Sequence, residues 1–147
     1  MTRRRRNRRG SALVEFALSF SLLSTLFAGA FQFGYAFYVY NTLEGAVRAG
    51  ARYASLRVYD SSTETPSSAY LTAVQNTVVY GNPAGGSQAV AVGLTPGNVA
   101  VTVGMDRNVP AWITVGISNY TINSVVRSFS LVNKPRATFP FTGRFAP

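Results

Sequence analysis

Apolar residues follow one another almost without interruption from Ala12 to Leu43, and residues 16–43 carry no charge at all. Leu, Phe and Ala dominate the run and no Pro breaks it, so it predicts one continuous helix. A bilayer core takes roughly 20 apolar residues in helical form, so the segment is long enough to span with tilt. Phe31, Phe33, Tyr35, Phe37, Tyr38 and Tyr40 crowd its distal end. Such rings gather at the membrane–water boundary, which places the outward exit near Tyr40. Helix-favouring residues continue over 42–56, weakened by Gly45 and Gly50. Gly45 and Ala49 are four apart, as are Ala46, Gly50 and Ala54. Small residues at that spacing form a flat stripe that admits a close neighbour, either another subunit's helix or the protein's own domain. Glu44 and Arg48, also four apart, read as an ordinary solvated ion pair.

The pattern then changes. Residues 60–68 are a loop by composition. Pro66 or Ser67-Ser68 opens a second helix with Ala69, Tyr70, Ala73, Val74, Thr77 and Val78 at helical spacing, and the Gly- and Pro-rich stretch 81–86 ends it. Residues 95–98 form a turn, 99–104 alternate as a strand, and 112–120 read as its antiparallel neighbour, joined through 105–110. Residues 121–132 are apolar but mixed, with Arg127 among them, and fit strand or helix equally. A last edge strand is expected within 137–145, since Pro140 has no N–H to give to a central ladder. The expected fold class is α+β: a long N-terminal transmembrane helix, then a small domain with one short helix and a small antiparallel sheet. No internal repeat is visible.

Charge divides the chain further. The net charge is +9, but Arg3, Arg4, Arg5, Arg6, Arg8 and Arg9 all lie in the first ten residues, and without these six the remainder carries only +3. The basicity therefore belongs to a leader. Placed before an apolar span, it keeps the N-terminus in the cytoplasm and sends the rest outward. The expected division is a leader over 1–10, a transmembrane and protruding helix over 11–56, and an exported domain over 57–147. An ordinary secretory signal would have a shorter apolar core and a small-x-small cut. Ala28-Gly29-Ala30 is the nearest candidate, but the apolar pattern runs past it. With 147 residues in all, the exported part is small, and an anchor or a partner helps to hold it.

Glu15 is the one charge near the start of the apolar run. A carboxylate at mid-bilayer costs about 2.5–3.5 kcal/mol. At 1.5 Å per residue, Glu15 lies only roughly 7 Å beyond Gly10. It reads either as an interfacial carboxylate favoured by the positive end of the helix dipole, or as a charge that needs a cationic partner.

The string RRGSALVEFAL sets basic residues before Gly10, small Ser11 after it, and the Glu15-Phe16 pair at the fifth and sixth positions beyond the Gly. It resembles the prepilin signal of type IV pilin-like proteins. Farther on, Val47-Arg48-Ala49-Gly50-Ala51-Arg52-Tyr53-Ala54 resembles a motif of the TadE-like family of the tight-adherence (Tad, or Flp) pilus system, with Val47 where Ala is usual. The resemblance is specific over about residues 8–56. It implies a minor pilin or pseudopilin, since the major Flp pilins are much shorter than this chain. It also implies a prepilin peptidase that cuts between Gly10 and Ser11 on the cytoplasmic face of the bacterial inner membrane. Glu15 of one subunit would then pair with the Ser11 ammonium of another, with pilus assembly, adhesion or surface attachment as the outcome. Its partners would be the inner membrane, the peptidase, other pilin or pseudopilin subunits and the assembly machinery.

Other function classes find less support. The chain has no Cys and no His, which excludes thiol and imidazole catalysis and thiolate or imidazole metal sites. No two carboxylates stand at a motif spacing, and Gly85-Gly86 lacks the Lys-Ser/Thr of a phosphate loop. No enzyme activity, cofactor, metal or small-molecule substrate is expected. Nucleic acid would attract the Arg run non-specifically, but that run adjoins a membrane helix, where anionic lipid is the nearer contact, at about 1 kcal/mol per basic residue. The alternative that keeps the topology is an uncleaved signal-anchor protein with a structural or adhesive outer domain.

Overall fold

The computed structural model describes residues 8–124 and 127–147. A helix of 49 residues, α1 (Arg8–Leu56), dominates it. From residue 10 to residue 31 its side chains are exposed, apart from half-buried Gly29. From Gln32 onward one stripe turns inward: Gln32, Val39, Leu43, Val47, Ala51 and Ala54 are all buried. Their steps of three, four or seven residues mark one helix face.

The second helix, α2 (Ser68–Tyr80), begins as its sequence predicts. Ser67 is the N-cap and its side chain accepts the Tyr70 N–H at 3.1 Å. Gly81 closes the helix in the left-handed region (φ 70°), where Gly alone pays no Cβ penalty. Tyr70, Ala73, Val74, Thr77 and Val78 face the core together with Val79, whereas Ala69 is exposed.

The sheet β1 (Val99–Asp106), β2 (Val109–Ile117) and β5 (Arg136–Pro140) is antiparallel with β2 in the middle. The sequence leaves 105–110 as a connection. The strands instead reach a two-residue turn at Arg107-Asn108, with φ of 51° and 63°, the left-handed pair that a tight hairpin requires. A register shift at Gly104/Met105 absorbs the mismatch. Val99, Val103, Ile113, Val115 and Ile117 point inward. Thr102, Thr114 and Thr138 form a row on the other face, with Thr114 and Thr138 hydroxyls 2.8 Å apart. Both helices pack against the sheet, α1 on β2 and β5, and α2 on β1.

Two expectations change. The second strand does not run to Tyr120: the chain leaves β2 after Ile117, and Asn119 turns it with φ 52°. The undecided stretch 121–132 contributes to a separate hairpin, β3 (Tyr120–Ile122) with β4 (Phe129–Leu131). The last strand is indeed an edge strand, ending at Pro140. Beyond it a strap returns to the end of α1, where the Tyr59 N–H donates to the Arg144 carbonyl at 2.8 Å and the Ala146 N–H to the Tyr59 carbonyl at 2.9 Å.

Candidate functional site

The residues singled out in the sequence fall in three places. Arg3, Arg4, Arg5 and Arg6 lie outside the described residues, as do the side chains of Arg8 and Arg9. Gly10, Ser11, Glu15 and Phe16 sit near the start of α1, all exposed, and Phe16 stacks on Phe20 with ring centroids 5.9 Å apart. Among the described side chains no cation lies within ion-pair reach of Glu15. The bare segment above them, about 20 residues long, spans roughly 30 Å at the helical rise, close to the thickness of a bilayer core. The helix from Gly10 to Leu56 is long and apolar enough to cross a membrane.

The third place is the outer half of α1, where the two small-residue stripes separate. Ala46, Gly50 and Ala54 face the protein itself, with Gly50 and Ala54 buried. The Ala54 carbonyl accepts the Tyr70 phenol at 2.6 Å, and a Cβ on Gly50 would strike the buried Val78 side chain. Gly45 and Ala49 stay exposed, and a Cβ on Gly45 would meet nothing within 4 Å. Glu44 pairs with Arg48 across one turn on the surface.

The difference is measurable. Gly50→Ala should lose about 1–3 kcal/mol, because Val78 has no room to yield. Gly45→Ala should leave stability unchanged or raise it by about 0.5–1 kcal/mol, through better helix propensity in open space. Urea unfolding of the detergent-solubilised chain, followed by near-ultraviolet circular dichroism, separates them. Equal effects would mean that α2 does not press on Gly50.

Sequence reasoning missed the aromatic cluster just beyond the C-terminal end of α1. Tyr59 and Tyr70 are fully buried and meet edge to face at 5.2 Å, with Phe141 and Phe145 on the remaining sides of Tyr59. Burial pushes both phenols above their ordinary range; nearby Asp60 and Glu64 add to this at Tyr59, and Tyr59 adds to it at Tyr70. Tyr120 is raised in the same way, by burial and then by Tyr35. These phenols donate to the carbonyls of Thr63, Ala54 and Val92 respectively, so they are structural ties. Among the described residues no cluster of three or more acidic side chains could hold a metal.

A bare apolar helix long enough to cross a membrane carries a small α+β domain on its C-terminal half, which fits a membrane location. The sequence model of the TadE-like protein family matches residues 10–52, which hold Gly10, Ser11, the Glu15-Phe16 pair and both Gly45 and Gly50. Over that stretch the chain is similar to TadE-like proteins, in agreement with the motifs of its sequence. No curated protein and no solved structure matches the chain.

Proposed function

We propose that the chain is a minor pilin or pseudopilin of a Tad/Flp-type pilus. In this reading a prepilin peptidase cuts between Gly10 and Ser11 at the cytoplasmic face of the bacterial inner membrane. The bare helix holds the subunit in the bilayer, and the C-terminal domain stands in the periplasm or outside the cell. The subunit then joins other pilins by helix packing, in service of pilus assembly, adhesion or surface attachment. The observation that carries the reading is the exposed apolar helix over 10–31, with Gly10, Ser11, Glu15 and Phe16 at its base and inside the family match.

The chemistry of the parts is consistent. Gly10 lies in the first turns of α1, and cleavage needs an extended backbone there. Gly costs a helix about 0.5–1 kcal/mol relative to Ala, which eases local opening. Removing the leader discards six cations and frees the Ser11 ammonium. Of the two stripes, Gly45 and Ala49 remain available to a neighbouring subunit, whereas Ala46, Gly50 and Ala54 are used within the domain.

The test is the intact mass of the membrane-extracted protein from cells with and without the prepilin peptidase. A peptidase-dependent loss matching residues 1–10 is expected, and Gly10→Leu should abolish it. An unaltered N-terminus in both strains would leave the uncleaved signal-anchor reading in its place.

A further inference from the structure

The β3–β4 hairpin pairs with no strand of the main sheet. It lies along α1 just above the bare segment. Phe129 faces Phe33 at 6.4 Å between ring centroids. Phe33, Phe37 and Tyr40 on the helix and Ile122, Phe129 and Leu131 on the hairpin line an open groove of about 310 Å³. Its walls are almost wholly apolar, and Phe33 and Phe37 remain 60% and 64% exposed.

We propose that this groove, with the hairpin that forms it, is a lipid-docking surface that rests in the leaflet at the C-terminal end of the span made by α1. Three observations carry this. The first is depth: if the bare segment fills the hydrocarbon core, the domain begins at Gln32, so the groove along 33–40 lies in the adjoining interfacial layer. Its aromatic walls are of the types that favour that layer.

The second is polar satisfaction at the point of entry. Gln32 is buried at the first level of contact, and both ends of its amide are used. Its Nε2 donates to the Arg127 carbonyl at 2.7 Å, and its Oε1 accepts the Ser124 hydroxyl at 3.0 Å. Such mutual pairing is what a water-poor surrounding demands, since a polar group left unpaired there costs several kcal/mol.

The third is charge. Residues 120–131 contain Arg127 and no acidic residue. Exposed Arg127, beside the Gln32 contact, is placed to meet a lipid phosphate. The groove is thus continuous with the lipid-facing helix below, and the hairpin that walls it carries a cation and no acidic residue.

The proposal rests on the membrane-anchored reading alone, and the test separates the two. The full chain carrying Trp112→Phe receives a single new tryptophan at Phe129, Phe37 or Leu22. Each is reconstituted in phosphatidylglycerol-containing vesicles whose acyl chains are brominated either near the headgroup or near the methyl end. Leu22→Trp, mid-way along the bare helix, should lose emission most to the deep bromines. Phe129→Trp and Phe37→Trp should lose it to the shallow ones. Phe37 is exposed on the helix, so its replacement does not endanger the fold. Emission from both groove variants that no bromine reduces, with Leu22→Trp still quenched, overturns the proposal and leaves the span intact. If the unquenched variants also form dimers in cross-linking, a second copy of the chain occupies the groove. Loss of quenching at Leu22→Trp would remove the span and the proposal together.

Discussion

Tyr59→Ala is expected to remove about 3–5 kcal/mol from the C-terminal domain, the scale of a large buried ring deleted from a core. The reason is the number of elements that converge there. The ring is fully buried and touches Tyr70 of α2, Phe141 beyond β5 and Phe145 of the strap. Its hydroxyl donates to the Thr63 carbonyl at 2.6 Å and so ties down the loop before α2. Its backbone holds the strap through Arg144 and Ala146. Domains of this size have about 5–15 kcal/mol in total, so the variant would lose a large share of its margin. Tyr59→Phe keeps the ring contacts and leaves the Thr63 carbonyl short of a donor, for which about 0.5–1.5 kcal/mol is expected. Urea unfolding of the detergent-solubilised chain, followed by Trp112 fluorescence, measures both. A loss below about 1 kcal/mol for Tyr59→Ala would show that the strap and α2 are held by something other than this ring, since such a value belongs to surface sites.

How much of this was legible depended on whether local chemistry or distant packing decides each element. The α2 boundaries follow from Ser67 and Gly81, whose capping roles are local, and the sequence places both ends correctly. The β1–β2 pair was readable from alternation, but its turn was not. Arg107 and Asn108 adopt φ above 50° without a Gly to announce it, so the strands reach farther than their pattern implies. The β3–β4 hairpin was undecided for another reason. Ile122 and Phe129 are held by a helix about 90 residues earlier in the chain, and no local period records that contact. The same contact carries the domain's packing down α1 as far as Gln32. For the small-residue stripes, sequence spacing leaves both uses open. The Gly50–Val78 approach then assigns one stripe to the protein's own core. Tyr59 carried no signal at all, because a lone Tyr after a helix looks like any surface residue until the strap returns to cover it.

The largest functional effect is expected at Glu15. On the proposed pilin reading, Glu15→Ala should be cut after Gly10 to the same extent as the unaltered chain, and should then fail to enter pili. Glu15 is exposed on the bare helix one turn beyond Gly10, where lipid or another subunit surrounds it, and an unpaired carboxylate is costly in either setting. Cleavage after Gly10 would create a cation at Ser11, four residues earlier on the same face. In an isolated cleaved subunit the carboxylate would reach back toward its own amino terminus. In an assembly the amino terminus of a neighbour can take that place at the matching depth, so the pair fixes axial register rather than adding much net stability. Alanine removes the charge and with it the register constraint; Glu15→Asp, shorter by one methylene, should recover only part of the incorporation. Intact mass reports cleavage, and immunoblots of sheared pili against the membrane fraction report incorporation. Wild-type levels of cleaved Glu15→Ala in sheared pili would take the ion pair out of the assembly mechanism. Failure of cleavage in the same variant would instead make Glu15 part of what the peptidase recognises.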